Sequence, residues 1–281
     1  MERSTLIASD GVPLLRRTFA PRQPARAAIA AHHGLGDHGG FYEELGEELA
    51  RQGIAMSIHD TRGHGLTPGQ RGHVASWNAL RDDLALEVAA LRREQLGVPL
   101  FLLGNSLGGL VVLDYVRRRP AGIAGVVTLS PAVGDVGVPA WVLSLGRVLS
   151  RVWPTFSLDS RLDRRNLTRD AERLRRFNDD PLYHTLGSAR LSTEFAATLA
   201  ALIADAGAIR APLLILHGAA DRIALPEASR ALFAKIGSPD KERKEYEGAV
   251  HNLLHDTNRE EVIADVARWI EGRLALTSPP G

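Results

Sequence analysis

The sequence predicts an α/β fold: a mostly parallel central sheet flanked by helices, with a helical cap inserted after the sixth strand. Two observations predict the sheet. Short apolar runs alternate with amphipathic helical segments, and one run, Pro99–Leu103, is so nearly pure in apolar residues that it reads as a central strand covered on both faces. A third observation predicts the cap. The alternation stops near residue 133 and resumes after 205, which divides the chain into a core of 1–132 and 206–281 and a cap of 133–205.

In chain order, Ser4–Ser9 and Leu14–Phe19 read as strands separated by the turn signal Asp10-Gly11. Arg26–His33 is small and apolar, as a buried strand would be, and runs into Gly34-Leu35-Gly36. Phe41, Leu45 and Leu49 recur every four residues, so Phe41–Gln52 reads as a helix, followed by strand Ile54–His59. Trp77–Leu96 is a long amphipathic helix with Leu80, Leu84, Val88 and Leu91 near one face. After the central strand come helix Asn105–Arg118 and the sixth strand, Ile123–Leu129. The interruption holds an apolar helical piece, Trp141–Val152, and an Arg-rich piece, Arg161–Arg176, that reads as polar helix or loop. The rhythm resumes with strand Pro212–His217, helix Glu227–Ile236, strand Arg243–Glu247 and a last helix over Arg259–Leu274.

Composition excludes several function classes. A chain of 281 residues can bury a full core as one large domain or as a domain with an insertion. Without Cys there is no disulfide framework, no thiolate metal site and no cysteine nucleophile. Lys and Arg total 34 against 33 Asp and Glu, a net charge of +1 that argues against a general nucleic-acid binder. Glu2, Arg3 and Asp10 surround only a short apolar stretch, which is not a signal peptide. No apolar run approaches the roughly 20 residues a membrane span needs. The expectation is a soluble, cytoplasmic protein.

The strongest chemical signal is Gly104-Asn105-Ser106-Leu107-Gly108, placed between an expected strand and an expected helix. This is the G-x-S-x-G nucleophile elbow in the context it requires. The turn from strand to helix is tight and its central residue strained. The glycines remove Cβ atoms where backbone must approach closely. Ser106 is thereby lifted above the sheet edge, and the Leu107 amide lies at a helix N-terminus, where a developing oxyanion is stabilised. A serine hydroxyl needs a base, and in this arrangement acid and histidine follow the serine in that order. Asp221 stands just past strand Pro212–His217, and His251 just past strand Arg243–Glu247. Open α/β sheets place their sites at this strand edge. His255 competes with His251, and Asp60 and Asp205 compete with Asp221, but Asp60 belongs to the tight loop Asp60-Thr61-Arg62-Gly63-His64-Gly65. A second oxyanion donor is expected from His33-Gly34-Leu35-Gly36-Asp37-His38-Gly39-Gly40, with the Leu35 N–H the best placed. That loop lacks the Lys-Ser/Thr ending of a phosphate-binding loop, and no histidine spacing suggests a metal centre, so neither metal nor cofactor is expected.

Together these segments resemble the alpha/beta-hydrolase superfamily, and more narrowly its monoacylglycerol lipase and lysophospholipase-like branch, also grouped with serine-aminopeptidase-like hydrolases. The motifs that carry the resemblance are His33–His38 with Tyr42, Asp60–Gly65, Gly69-Gln70-Arg71-Gly72, Leu103–Gly109, Leu216-His217-Gly218 with Asp221, and His251. Asn178-Asp179-Asp180-Pro181-Leu182 looks like the family's Asp-Pro-Leu segment within the cap. The resemblance implies Ser106 as nucleophile, Asp221 as acid, His251 as base, the Leu35 and Leu107 amides as oxyanion hole, and a cap shaping a lipid-accepting tunnel. The chain departs from the pattern at Asn105 (usually His), Asp37 (Glu), Phe41 (Arg) and Leu254 (His). Losing Arg and His removes donors for a hydroxylated head group and leaves a broader esterase intact.

Two features of the cap bear on partners. Leu143, Leu145, Val148, Leu149 and Val152, flanked by Trp141 and Trp153, form either an acyl-binding wall whose outer face touches lipid or micelles, or a helix packed onto the cap core. The arginines from Arg161 to Arg176, offset by Asp159, Asp163, Asp170 and Glu172, read as a salt-bridged solvated face. The expected activity is hydrolysis of small-molecule or lipid carboxylic esters. The alternatives are an aminopeptidase or amidase, for which Asp37 is the candidate amine-binding acid, and a non-catalytic hydrolase-like binding protein.

Overall fold

A computed structural model describes residues 1–118, 122–134, 140–160 and 162–277, with the side chains of 140–145 and 276–277 outside the description. Eight strands form one sheet in the order β1-β2-β4-β3-β5-β6-β9-β10. β1 (Glu2–Ile7), β2 (Pro13–Phe19) and β4 (Ile54–His59) pair antiparallel, and β3 (Ala27–His32), β4, β5 (Leu100–Asn105), β6 (Gly125–Leu129), β9 (Leu213–Gly218) and β10 (Lys241–Tyr246) run parallel. This is the mostly parallel sheet the alternation of apolar runs predicts.

The strand period of two sorts side chains into two layers. Ala28, Ala30, Leu100 and Leu102 face α2 (Trp77–Glu94) and α3 (Leu107–Arg118) in one core layer. Ala27, Ile29, Ala31, Phe101 and Leu103 face the other, with α1 (Glu43–Arg51) and α8 (Arg259–Thr277). Every residue of β3, β4, β5, β6 and β9 is buried. Fully burying a large apolar side chain contributes roughly 1.5–3 kcal/mol, so this double-faced burial fixes the sheet more firmly than any single polar contact.

Between β6 and β9, neighbours in the sheet, the chain leaves the core. It forms α4 (Ala140–Val152), β7 (Ser157–Asp159), a 3-10 turn at Arg164–Asn166, α5 (Ala171–Asp179), β8 (Leu186–Ser188) and α6 (Ala189–Ala204). β7 and β8 pair antiparallel, and α4 packs on α6. α7 (Pro226–Lys235) then lies between β9 and β10. Among the described residues no helix is long and apolar enough to cross a membrane.

Three differences from the sequence expectation have a local physical cause. Asn105 belongs to β5, paired with Leu129, and α3 starts only at Leu107. The reason is Ser106, whose φ of 51° cannot propagate a right-handed helix. Phe41 lies in a 3-10 turn, Gly39–Tyr42, because the His38 imidazole accepts the Gly40 N–H and closes that turn before α1 begins. The Arg-rich piece is neither one helix nor a purely solvated face. Asp170 caps α5, while Arg169 and Arg173 reach carboxylates outside the inserted segment, the buried Asp256 and the partly exposed Glu44; Arg161 lies outside the described residues.

Candidate active site

The loops after β3, β5, β9 and β10 meet at the C-terminal edge of the sheet, and each brings one part of the site. After β5 the chain turns at Ser106 into α3. The left-handed backbone of a non-glycine residue costs roughly 1–3 kcal/mol and persists only when neighbours over-determine it. Here the Ser106 N–H donates to the Leu129 carbonyl at 3.0 Å, while its own carbonyl accepts the Gly109 and Ala132 N–H groups at 2.9 and 3.0 Å. Close approach explains the flanking glycines. A Cβ at Gly104 would lie 2.3 Å from the Gly108 oxygen, and one at Gly108 would lie 2.2 Å from the His32 oxygen.

Ser106 Oγ stands 3.0 Å from His251 Nε2, and His251 Nδ1 stands 2.8 Å from Asp221 Oδ2. A proton on Nδ1, facing the carboxylate, leaves the Nε2 lone pair for the serine hydroxyl. Asp221 is buried, and burial alone would raise its carboxyl. The opposed His251, with His217 and the Ile223 N–H, instead holds it well below the usual carboxylate range. Its Oδ1 accepts the Ile223 and Ala224 N–H groups at 2.8 and 3.0 Å, so the carboxylate enters the site already oriented.

Among the described residues neither the Leu35 nor the Leu107 N–H has a backbone acceptor. Leu107 is the first residue of α3, where amide donors are unpaired and the helix dipole favours negative charge. Gly34 lies against the nucleophile: a Cβ there would come within 3.2 Å of Ser106 Cβ. The loop carrying Leu35 therefore runs directly beside Ser106. A serine, a base oriented by a carboxylate, and unpaired amides at one sheet edge can perform nucleophilic attack on a carbonyl with stabilisation of the resulting oxyanion.

The remaining sequence candidates stand outside the Ser106–His251–Asp221 series. Asp37 is buried, with Oδ1 accepting the His38 N–H at 2.8 Å and Oδ2 accepting the Tyr42 hydroxyl at 3.2 Å; burial pushes its carboxyl up to about 6. Asn105 is buried at the end of β5. Phe41 stacks on Phe177 of α5 with ring centroids 4.5 Å apart, and His255 meets both rings edge-on. Burial in this aromatic cluster lowers His255 to about 4. Leu254 packs in the core layer of α1 and α8. The Leu143, Leu145 and Trp141 side chains lie outside the described residues. Asp60 binds Arg17 and the Gly39 and Leu66 amides, and Asp205 pairs with Arg117, so neither meets His251. Among the described residues no group of three or more His, Cys, Asp or Glu could hold a metal ion.

Sequence reasoning missed two supports. His217 places Nε2 2.7 Å from the Ala224 oxygen and 3.3 Å from Asp221 Oδ2, with Nδ1 2.9 Å from Ser229 Oγ. A lone histidine ending the otherwise apolar strand Leu213–Gly218 was the available signal. Asp256 accepts the Val250 N–H at 2.9 Å and the Arg169 N–H at 2.8 Å, and pairs with the Arg169 guanidinium. The His251 and Asn252 N–H groups donate to the Asn166 and Leu167 carbonyls at 3.3 and 2.8 Å. The loop bearing His251 is thus stitched to the segment between β6 and β9.

A family model described as Hydrolase_4, serine aminopeptidase S33, matches residues 23–258. An uncharacterized abhydrolase domain-containing protein of Dictyostelium discoideum is 30% identical over 96% of this chain, which spans 29% of that protein's length. The monoglyceride lipase of Homo sapiens is 31% identical over 98% of this chain and 93% of its own. The crystal structure of Paleococcus ferrophilus monoacylglycerol lipase superposes with a TM-score of 0.83 at 35% identity, over 92% of this chain and 99% of that one.

Proposed function

The chain belongs to the serine aminopeptidase S33 family of hydrolases, and on that premise we propose that it is a serine hydrolase of carboxylic esters bearing an acyl chain. The observation that carries the reading is the hydrogen-bonded series Ser106–His251–Asp221. Similarity to monoglyceride lipases over nearly the whole chain supports a lipid ester as substrate.

Ser106 Oγ attacks the ester carbonyl while His251 Nε2 takes its proton. The tetrahedral oxyanion rests on the Leu35 and Leu107 N–H groups, and the negative Asp221 stabilises the imidazolium that forms. His251 returns the proton to the leaving alcohol. The acyl group stays on Ser106 until a water, deprotonated by His251, attacks it; His251 then gives that proton to Ser106 Oγ as the acid leaves.

The segment 133–205 acts as a cap over the site. Val148 and Val152 on α4, Trp153 just after it and Leu158 in β7 are exposed, and this apolar surface rests on lipid or micelles. An amidase acting on free amino termini would need an accessible carboxylate for the amine. Asp37 is enclosed, with both oxygens engaged, which favours the ester reading. Phe41 in an aromatic cluster favours an apolar rather than glycerol-specific neighbourhood.

The test is a hydrolysis profile over p-nitrophenyl esters, monoacylglycerols, lysophospholipids and amino-acid amides. Acyl esters are expected to dominate in kcat/KM; preference for the amides overturns the proposal. Co-sedimentation with phosphatidylcholine vesicles tests the exposed apolar surface. Trp153→Ser is expected to reduce binding, and no binding by the wild type refutes that part.

A further inference from the structure

The Leu35 loop is not held by the core alone. Gly36, with φ of 76°, offers its carbonyl to the His184 N–H at 3.1 Å, and a Cβ on Gly36 would lie 1.7 Å from the His184 oxygen. The two backbones are therefore in direct contact, and only glycine fits. Two residues further on, His38 Nδ1 accepts the Gly40 N–H at 3.1 Å. That bond leaves the ring proton on Nε2, which points at Asp180 Oδ2 3.1 Å away. The other Asp180 oxygen accepts the Leu182 N–H at 2.7 Å. The His184 ring packs on the His64 ring, centroids 4.6 Å apart, behind the same loop. Residues 180–184 belong to the segment between β6 and β9, so each of these contacts ties the Leu35 loop of the sheet domain to the inserted segment.

We propose that Asp180, together with the His184–Gly36 backbone contact, is a positioning element that holds the Leu35 N–H at its oxyanion-binding place. The inserted segment then completes the oxyanion hole as well as covering it. The inference rests on the reading of Leu35 as an oxyanion donor. A carboxylate is required at position 180 because both oxygens face donors, the His38 Nε2–H and the Leu182 N–H. An asparagine offers one acceptor and can satisfy only one of them. Asp180 is partly exposed and its link to His38 is one hydrogen bond, so it contributes little to overall stability and its effect falls on geometry.

The test is Asp180→Asn in the full-length enzyme, with kinetics on a p-nitrophenyl ester and affinity for an alkylboronic acid. The boronate adduct on Ser106 is tetrahedral and places a charged oxygen on the same amides. The expected result is a fall in kcat of about tenfold with KM little changed, against roughly 10²–10³ for removing a donor outright. Boronate affinity falls by the same factor, and Asp180→Glu, which keeps both acceptors, recovers part of each. A folded Asp180→Asn that keeps wild-type kcat and boronate affinity overturns the proposal. So does a fall in kcat with boronate affinity intact, because the loss then lies away from the oxyanion donor. Should Asp180→Asn fail to fold, His38→Ala breaks the same link from the core side and is read identically. Failure of the wild-type enzyme to bind boronate or cleave the ester would instead strike at the reading of the site.

Discussion

Replacing Asp221 by Asn changes no heavy-atom shape but reverses the logic of the site. The carboxylate accepts two backbone N–H groups on Oδ1, at 2.8 and 3.0 Å, and faces two imidazoles on Oδ2, at 2.8 and 3.3 Å. An asparagine has one acceptor oxygen, and the two fixed amides at Oδ1 claim it. Its NH2 then points at His251 Nδ1 and forces that nitrogen to accept. The imidazole proton moves to Nε2, where it faces Ser106 Oγ instead of receiving its proton. By the tautomer argument kcat falls about 10⁴-fold, or ~5.5 kcal/mol in the barrier. The assay is steady-state hydrolysis of p-nitrophenyl butyrate at pH 7.5, with thermal melting to confirm that Asp221→Asn folds. A folded variant that loses less than tenfold refutes the assignment of Asp221 as the group that sets the His251 tautomer.

Asp37 gives a prediction with a sign. Burial raises its carboxyl to about 6, above its unfolded value, so its contribution to stability is complete below about pH 3.8 and is lost as pH rises through 6. Relative to wild type, Asp37→Asn should therefore gain up to about 3 kcal/mol between pH 4 and pH 8, measured by urea unfolding with Trp fluorescence; a pH-independent difference contradicts this. Asp256→Ala removes a fully buried acceptor of the Val250 and Arg169 amides and leaves the Arg169 guanidinium only its bond to Asn258 Oδ1. It should cost about 3 kcal/mol in the same assay and lower kcat, because the His251 loop loses its anchor.

What was legible in the sequence was local. The elbow could be read because glycine spacing, an apolar strand and a helix start all fall within fifteen residues, and the local constraint is steric. Asp221 and His251 could be read because each directly follows a strand whose end lies at the same sheet edge. Contacts across long separations left no such trace. Asp180 with His38, Arg169 with Asp256 and the Asn166 carbonyl with the His251 N–H join segments with no shared period, and only the return of the chain from the inserted segment brings them together. Phe41 shows how local geometry defeats periodicity. Its four-residue spacing to Leu45 suggested a helix, but the His38 ring closes a 3-10 turn there and turns Phe41 onto Phe177.

The proposed role of Ser106 as the nucleophile of an ester hydrolase is open to direct chemical test. The most direct measurement is labelling of the folded protein with a fluorophosphonate probe, followed by intact mass and peptide mapping. One probe per chain on Ser106, lost in Ser106→Ala and slowed strongly in Asp221→Asn, is the predicted result. Labelling that persists at full stoichiometry in Ser106→Ala, or a wild-type protein that takes up no probe, would contradict it.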